Sequence, residues 1–283
     1  MKKLLLTLPL VLIVAAALFS FTACNNATPQ GQLGDYFAPY EKYTYLVTDN
    51  NAETPVTGVY TVEIKKFKKD SIVTLAQGEV LNGVPEGHLI KGRLEIADTV
   101  IEQSCYVDNV NGNSFLVPRA SFKRVSKNGA LLYESLINYT SGVSYKLKTS
   151  ADDIKVGNLS VPAPYYDNNE FMTMLRGAST MGSGFAMTYN VPVVTPSETA
   201  SAQLTASCSG TEGITVPFKE EAIDCFAINI SRQTIVAGTT YNAYYAASQI
   251  EINGRKLTRV LVKFVEDKVV YELKEIITVE DNQ

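Results

Sequence analysis

The 283-residue chain has no tryptophan and a single histidine, His88. Without a second imidazole there is no histidine-rich metal ligand set, and a Ser-His-Asp or Cys-His nucleophile would have to be built around Pro85-Glu86-Gly87-His88. That stretch reads as a loop, so His88 is expected to be a solvated turn residue and catalysis is not expected. Cysteine is scarce too. Beyond Cys24 come Cys105, Cys208 and Cys225, without C-x-x-C spacing, which argues against zinc and thioredoxin-like chemistry. Three thiols allow at most one internal disulfide. Cys208 with Cys225 is the pair nearest in sequence, and three buried thiols are the alternative.

Positive charge is also short. Lys and Arg number 25 against 29 Asp and Glu, a formal net charge of −4 that becomes two units more negative once a leader carrying Lys2 and Lys3 is removed. Such a surface does not neutralise phosphates, and no nucleic-acid partner is expected. The missing tryptophan weakens a sugar-stacking platform. Gly177 to Gly184 lacks the lysine of a phosphate loop and follows a helix instead of opening one. Asp108, Asn109, Asn111 and Asn113 lack the twelve-residue spacing of a calcium loop, and Asp152-Asp153 has no assigned partner. No metal and no cofactor is expected.

The one long uncharged run is Leu4 to Ala23, behind Met1-Lys2-Lys3. It reads as a secretory signal over residues 1–23. Phe21-Thr22-Ala23-Cys24 resembles the lipobox of bacterial lipoproteins, which implies cleavage before Cys24 and acylation of its thiol. Several acyl chains, at about 0.8 kcal/mol per buried CH₂, would anchor the protein firmly. Asn25 in place of aspartate implies the outer membrane, facing the periplasm. Residues 24–35, rich in Asn, Thr-Pro and Gly, read as a flexible tether. Residues 36–283 read as a single β-rich domain.

Sixteen tyrosines and eleven phenylalanines suit pleated sheets. Tyr60, Val62 and Ile64 alternate with Thr61, Glu63 and Lys65, a period of two that makes a strand. Asn82-Gly83, Asn111-Gly112, Asn128-Gly129 and Asn253-Gly254 suit hairpin turns. A two-residue loop at Asp267-Lys268 would set Lys263 against Glu272 and Phe264 against Tyr271, and an Asn253-Gly254 turn would set Ile250 against Leu257. Pro118 is expected at an edge or bulge, and Pro192 and Pro196 are expected to end the strand that carries Met187. One short helix is expected after Asp167, with Glu170 reciprocating the cap and Gly177 terminating it. The fold class is mainly β: a strongly curved antiparallel sheet, half-barrel or open barrel, with one short helix.

Gly210, Glu212, Ile214-Thr215-Val216-Pro217 and Ile223-Asp224-Cys225-Phe226 resemble an uncharacterised family of exported bacterial β proteins, a domain of unknown function, over about the C-terminal half. That family is similar to the lipoprotein carriers of the bacterial envelope, whose half-barrel surrounds an apolar cavity, so the resemblance implies such a fold and no catalytic residues.

All four methionines beyond the leader, Met172, Met174, Met181 and Met187, fall around the helix and the next strand. Methionine adapts to variable apolar shapes. Two readings follow. In one, Phe171, Met172, Met174, Leu175, Phe185 and Met187 line a site for a lipid or acyl moiety, or the curved sheet holds an envelope protein. In the other the same residues fill the core, and a structural or assembly lipoprotein acts through its exposed edge strands.

Overall fold

The computed structural model describes residues 37–51, 53–108, 116–178, 181–232 and 240–279. The leader, Cys24, the tether, Asn111-Gly112 and the Phe171 side chain lie outside them.

The alternating segments form strands. In the first half these are β1 (Tyr40–Asp49), β2 (Val56–Phe67), β3 (Ser71–Ala76), β4 (Glu79–Val84), β5 (Gly87–Ile96), β6 (Thr99–Asp108), β7 (Val117–Lys127), β8 (Ala130–Asn138), β9 (Val143–Lys148) and β10 (Ile154–Leu159). A four-residue helix, α1 (Phe171–Met174), runs into a single 3₁₀ turn at Leu175–Gly177. Then follow β11 (Ala186–Val194), β12 (Thr199–Val216), β13 (Lys219–Arg232), β14 (Thr240–Ala246), β15 (Ile250–Ile252), β16 (Arg255–Leu257), β17 (Leu261–Glu266) and β18 (Val269–Thr278).

Among the described residues, fourteen strands make one antiparallel sheet in the order β10-β9-β8-β7-β6-β5-β2-β1-β18-β17-β14-β13-β12-β11. The sheet curls until β10 and β11 approach each other, leaving one seam in an otherwise closed barrel. Part of the seam is stitched by the segment after β10: Tyr166 N–H donates to Asn190 O at 2.9 Å, Asn190 N–H to Pro164 O at 2.9 Å, and the Asn190 side-chain amide to Pro162 O at 2.9 Å.

The pleat decides which residues face inward. On β1, Tyr43, Tyr45 and Val47 are buried while Lys42, Thr44 and Leu46 are partly exposed, the alternation of a sheet packed on one side. Register carries one inward row across the wall, from Glu41 to Ile64, Ile90, Cys105, Ser121 and Ile137. Leu89, Tyr106 and Ala120 sit on the opposite face and are buried as well, because the β3–β4 hairpin folds over the outside of the barrel and packs Val73, Leu75 and Val84 onto them.

Several expected details hold. Lys263 pairs with Glu272 and Phe264 with Tyr271, Ile250 pairs with Leu257, and Asn128-Gly129 and Asn253-Gly254 adopt the positive φ of tight turns. Pro118 lies at a bulge opposite Val107. Other details differ. Asn82-Gly83 lies inside β4, and the β3–β4 turn is made by Gln77-Gly78, where Gly78 has φ +83°. The β15–β16 hairpin forms a separate two-stranded sheet between β14 and β17. Pro192 continues β11 instead of ending it, since β11 is an edge strand and a missing N–H costs little there.

Candidate functional site

The barrel is filled by its own chain. A plug made by residues 166–178, together with Met181, Phe185 and Met187, packs into the interior, where Met174, Leu175, Ala178, Met181, Phe185 and Met187 join the main hydrophobic core with the inward residues of β1, β2 and β11 to β18. Met172 is partly buried against that core. The space left between this plug and Tyr43, Tyr45, Tyr60, Val62 and Ile64 is about 20 Å³, too little for an acyl chain. Of the residues named above as an apolar lining, Met174, Leu175, Phe185 and Met187 are therefore core side chains in this conformation.

Two polar anchors hold the plug. At its start, Asp167 accepts hydrogen bonds from the Ser121 and Tyr139 hydroxyls and from Asn169 N–H at 2.7 Å. Asp167 N–H donates to Glu170 Oε1 at 2.9 Å, the reciprocal contact that was expected, but it closes the turn ahead of the helix: α1 starts at Phe171, its N-cap is Glu170, and among the described residues no side chain caps it. Burial pushes both carboxyls up, Asp167 against the pull of its hydrogen-bond donors and Glu170 well above the usual range. At its end, Arg176 reaches the opposite wall. Its Nη1 donates to Glu41 Oε2 at 2.6 Å and to the Tyr43 hydroxyl at 3.0 Å, its Nη2 and Nε donate to Thr258 O, and the guanidinium lies 4.6 Å from the Phe37 ring centroid. Burial opposes the Arg176 charge, yet Glu41 and Tyr43 hold the group above its usual range.

Beside the plug lies a cavity of about 160 Å³ lined by both walls of the barrel. Tyr60, Leu94, Ile101, Gln103 and Lys123 come from β2 and β5 to β7, Tyr241, Phe264, Glu266 and Tyr271 from β14, β17 and β18, and Asn168, Asn169 and Met172 from the plug. Tyr60 and Tyr271 meet edge to face at 5.7 Å, and Tyr241 stacks on Phe264 at 5.8 Å. Gln103 Nε2 donates to the Tyr60 hydroxyl at 2.8 Å. Gly92 makes room for that pair, since a Cβ there would come within 2.7 Å of the hydroxyl and 2.9 Å of the Gln103 side chain. Sequence reasoning did not single out Lys123 or Glu266. They border one cavity only because β7 and β17 share the barrel interior, and no local spacing signals that.

A larger open groove, about 770 Å³, runs outside between the β3–β4 hairpin and the sheet. Its charges are largely matched across neighbouring strands, as Arg93 with Glu102, Arg124 with Glu134 and Lys148 with Glu134.

His88 is not a solvated turn residue. It lies on β5, 3% exposed, against the Phe37 ring at 5.6 Å, and neither ring nitrogen has a partner among the described residues. Burial first, and the Lys66 charge second, push it down to about 4 against the pull of Glu86. Cys208 and Cys225 remain thiols, as does Cys105. Cys208 pairs with Ile228 and Cys225 with Glu212, so the two lie about 10 Å apart along the sheet, outside the about 7 Å that a disulfide spans. Burial pushes the Cys225 thiol up to about 12. Asp108 pairs with Arg119; Asn109 to Asn113 are outside the described residues. Among the described residues no group of three His, Cys, Asp or Glu is placed to hold a metal, and no helix is long and apolar enough to cross a membrane.

The fold and its filled interior define a β-barrel-like domain. The chain is similar to the solved structure of a beta-barrel-like protein of domain of unknown function DUF1849 from Brucella abortus, with TM-score 0.51 and 12% identity over 85% of this chain and 98% of that one. No family model matches the sequence, and no curated protein matches it. The likeness is one of fold.

Proposed function

We propose that this is a non-catalytic envelope lipoprotein, anchored through acylated Cys24 on the outer membrane and facing the periplasm, that holds a partner protein by strand addition at the β10 edge of its barrel. The observation that carries the reading is β10 itself. It ends the sheet, contains no proline, and leaves Ile154 47% and Val156 73% exposed. Natural edge strands are usually blunted by charge, proline or a covering segment; here Lys155 is the only charge, and an added strand would satisfy the backbone groups and cover both apolar side chains. Packing of the plug supports this reading over a carrier of lipid or acyl chains.

A photoreactive benzoylphenylalanine at Val156, in cells, is expected to give one adduct of defined mass that disappears when Ile154→Lys is added, while the same probe at exposed Lys219 gives none. Absence of the Val156 adduct, or stoichiometric uptake of a fluorescent fatty acid by the purified chain, overturns the proposal. The anchor has its own test. Cys24→Ser is expected to abolish labelling by an alkyne palmitate and to release the protein from the membrane pellet; a variant still labelled and still sedimenting would disprove acylation at Cys24.

A further inference from the structure

The cavity beside the plug is bordered by two opposite charges that no direct ion pair joins. Lys123 on β7 and Glu266 on β17 both border it, and neither side chain makes an ion pair or hydrogen bond within the described residues, although most charged neighbours on this sheet do. Both are partly buried. Burial lowers Lys123, which Glu266 and Asp167 counter, and burial raises Glu266, which Lys123 counters. Each group thus feels the other without touching it. The wall between them is aromatic, made by Tyr60, Tyr241, Phe264 and Tyr271, and aromatic faces attract organic cations. At about 160 Å³ the space is smaller than the roughly 300–1,000 Å³ that drug-sized ligands occupy.

We propose that this cavity binds a small zwitterion, its carboxylate paired with Lys123 and its ammonium held between Glu266 and the tyrosine rings. Lys123 and Glu266 balance each other across the cavity, and a ligand with one charge would upset that balance and leave one partly buried protein charge without a direct partner, which costs free energy. A ligand with both satisfies Lys123 and Glu266 together, and Leu94, Ile101 and Met172 cover a compact apolar body. The site is independent of the β10 edge and stands or falls separately from it.

The test uses the full chain purified in detergent and ligand-observed saturation-transfer NMR. The probes are L-leucine, L-phenylalanine and glycine betaine, with leucinamide and 4-methylpentanoate as the single-charge controls for leucine. At least one zwitterion is expected to bind saturably, about tenfold or more tightly than either single-charge control. Glu266→Gln, which preserves shape, and Lys123→Met should each weaken that binding by a similar factor, with thermal unfolding confirming that the variants fold. If Lys123→Met does not fold, Glu266→Gln decides alone. No saturable binding by any zwitterion, equal binding of the controls, or binding untouched by Glu266→Gln overturns the proposal.

Discussion

Arg176→Met is expected to lower the unfolding free energy by about 3–5 kcal/mol, because it leaves a buried carboxylate without its cation. Glu41 is 0% exposed and Arg176 2% exposed, so water cannot take over from either partner. The expectation is sharper for a pair than for a single residue. Glu41 would retain Ala38 N–H and the Tyr43 hydroxyl as donors, but neither neutralises it. Glu41→Gln with Arg176→Met removes both charges and is expected to be less damaging than Arg176→Met alone, since an apolar or neutral replacement of a buried ion pair is often well tolerated. Urea unfolding of the two single variants and the double variant measures the coupling. A neutral Arg176→Met would show that the plug is held by its apolar contacts and that the ion pair adds nothing. Because the same side chain joins the 3₁₀ turn to β1 and to Thr258, the loss should appear as loosening of the plug, seen as faster hydrogen exchange at Met174 and Leu175.

Acid should destabilise the protein through His88. The folded imidazole takes up its proton only at about pH 4, against 6.5 in the unfolded chain. Between those values the unfolded chain binds a proton that the folded chain refuses, so stability present above pH 6.5 is lost as the pH falls toward 4. The span corresponds to about 3 kcal/mol. Asp167 and Glu170 act with the opposite sign, since their raised folded values make acid stabilising for them. The wild-type profile is therefore a sum, and the comparison that isolates the imidazole is with His88→Leu. That variant is expected to match or exceed the wild type at neutral pH, as it removes two buried unpartnered nitrogens, and to lose about 3 kcal/mol less on acidification to pH 4. Parallel urea midpoints across that range for both proteins would refute the assignment.

Local chemistry was legible in the sequence where it acts over a few residues. The Asp267-Lys268 turn, the pairing of Lys263 with Glu272, the Asn253-Gly254 hairpin and the contact of Glu170 with Asp167 N–H all follow from neighbours in the chain. The curved antiparallel sheet was legible too, from the period of two. What was not legible depends on contacts between distant segments. Arg176 and Glu41 are separated by 135 residues, and nothing near either one signals the other. His88 looked solvated because Pro85-Glu86-Gly87 resembles a turn, whereas strand pairing carries it under Phe37. Methionine clustering located the plug but did not distinguish a lining from a filling, since the same flexible side chain serves both. Lys123 and Glu266 carry no sequence signal.

The place of β1 has a consequence for how the molecule is made. This strand is the first of the described strands to be synthesised, yet one of its edges is paired with β18, the last, across as many as 237 residues from Glu41 to Thr278. Until β18 arrives, that edge of β1 has no partner and the ring cannot close. Such pairing is entropically costly and slow to form, so the β1–β10 half of the sheet can pair within itself during synthesis but stays unjoined to the other half until the final strand has been released.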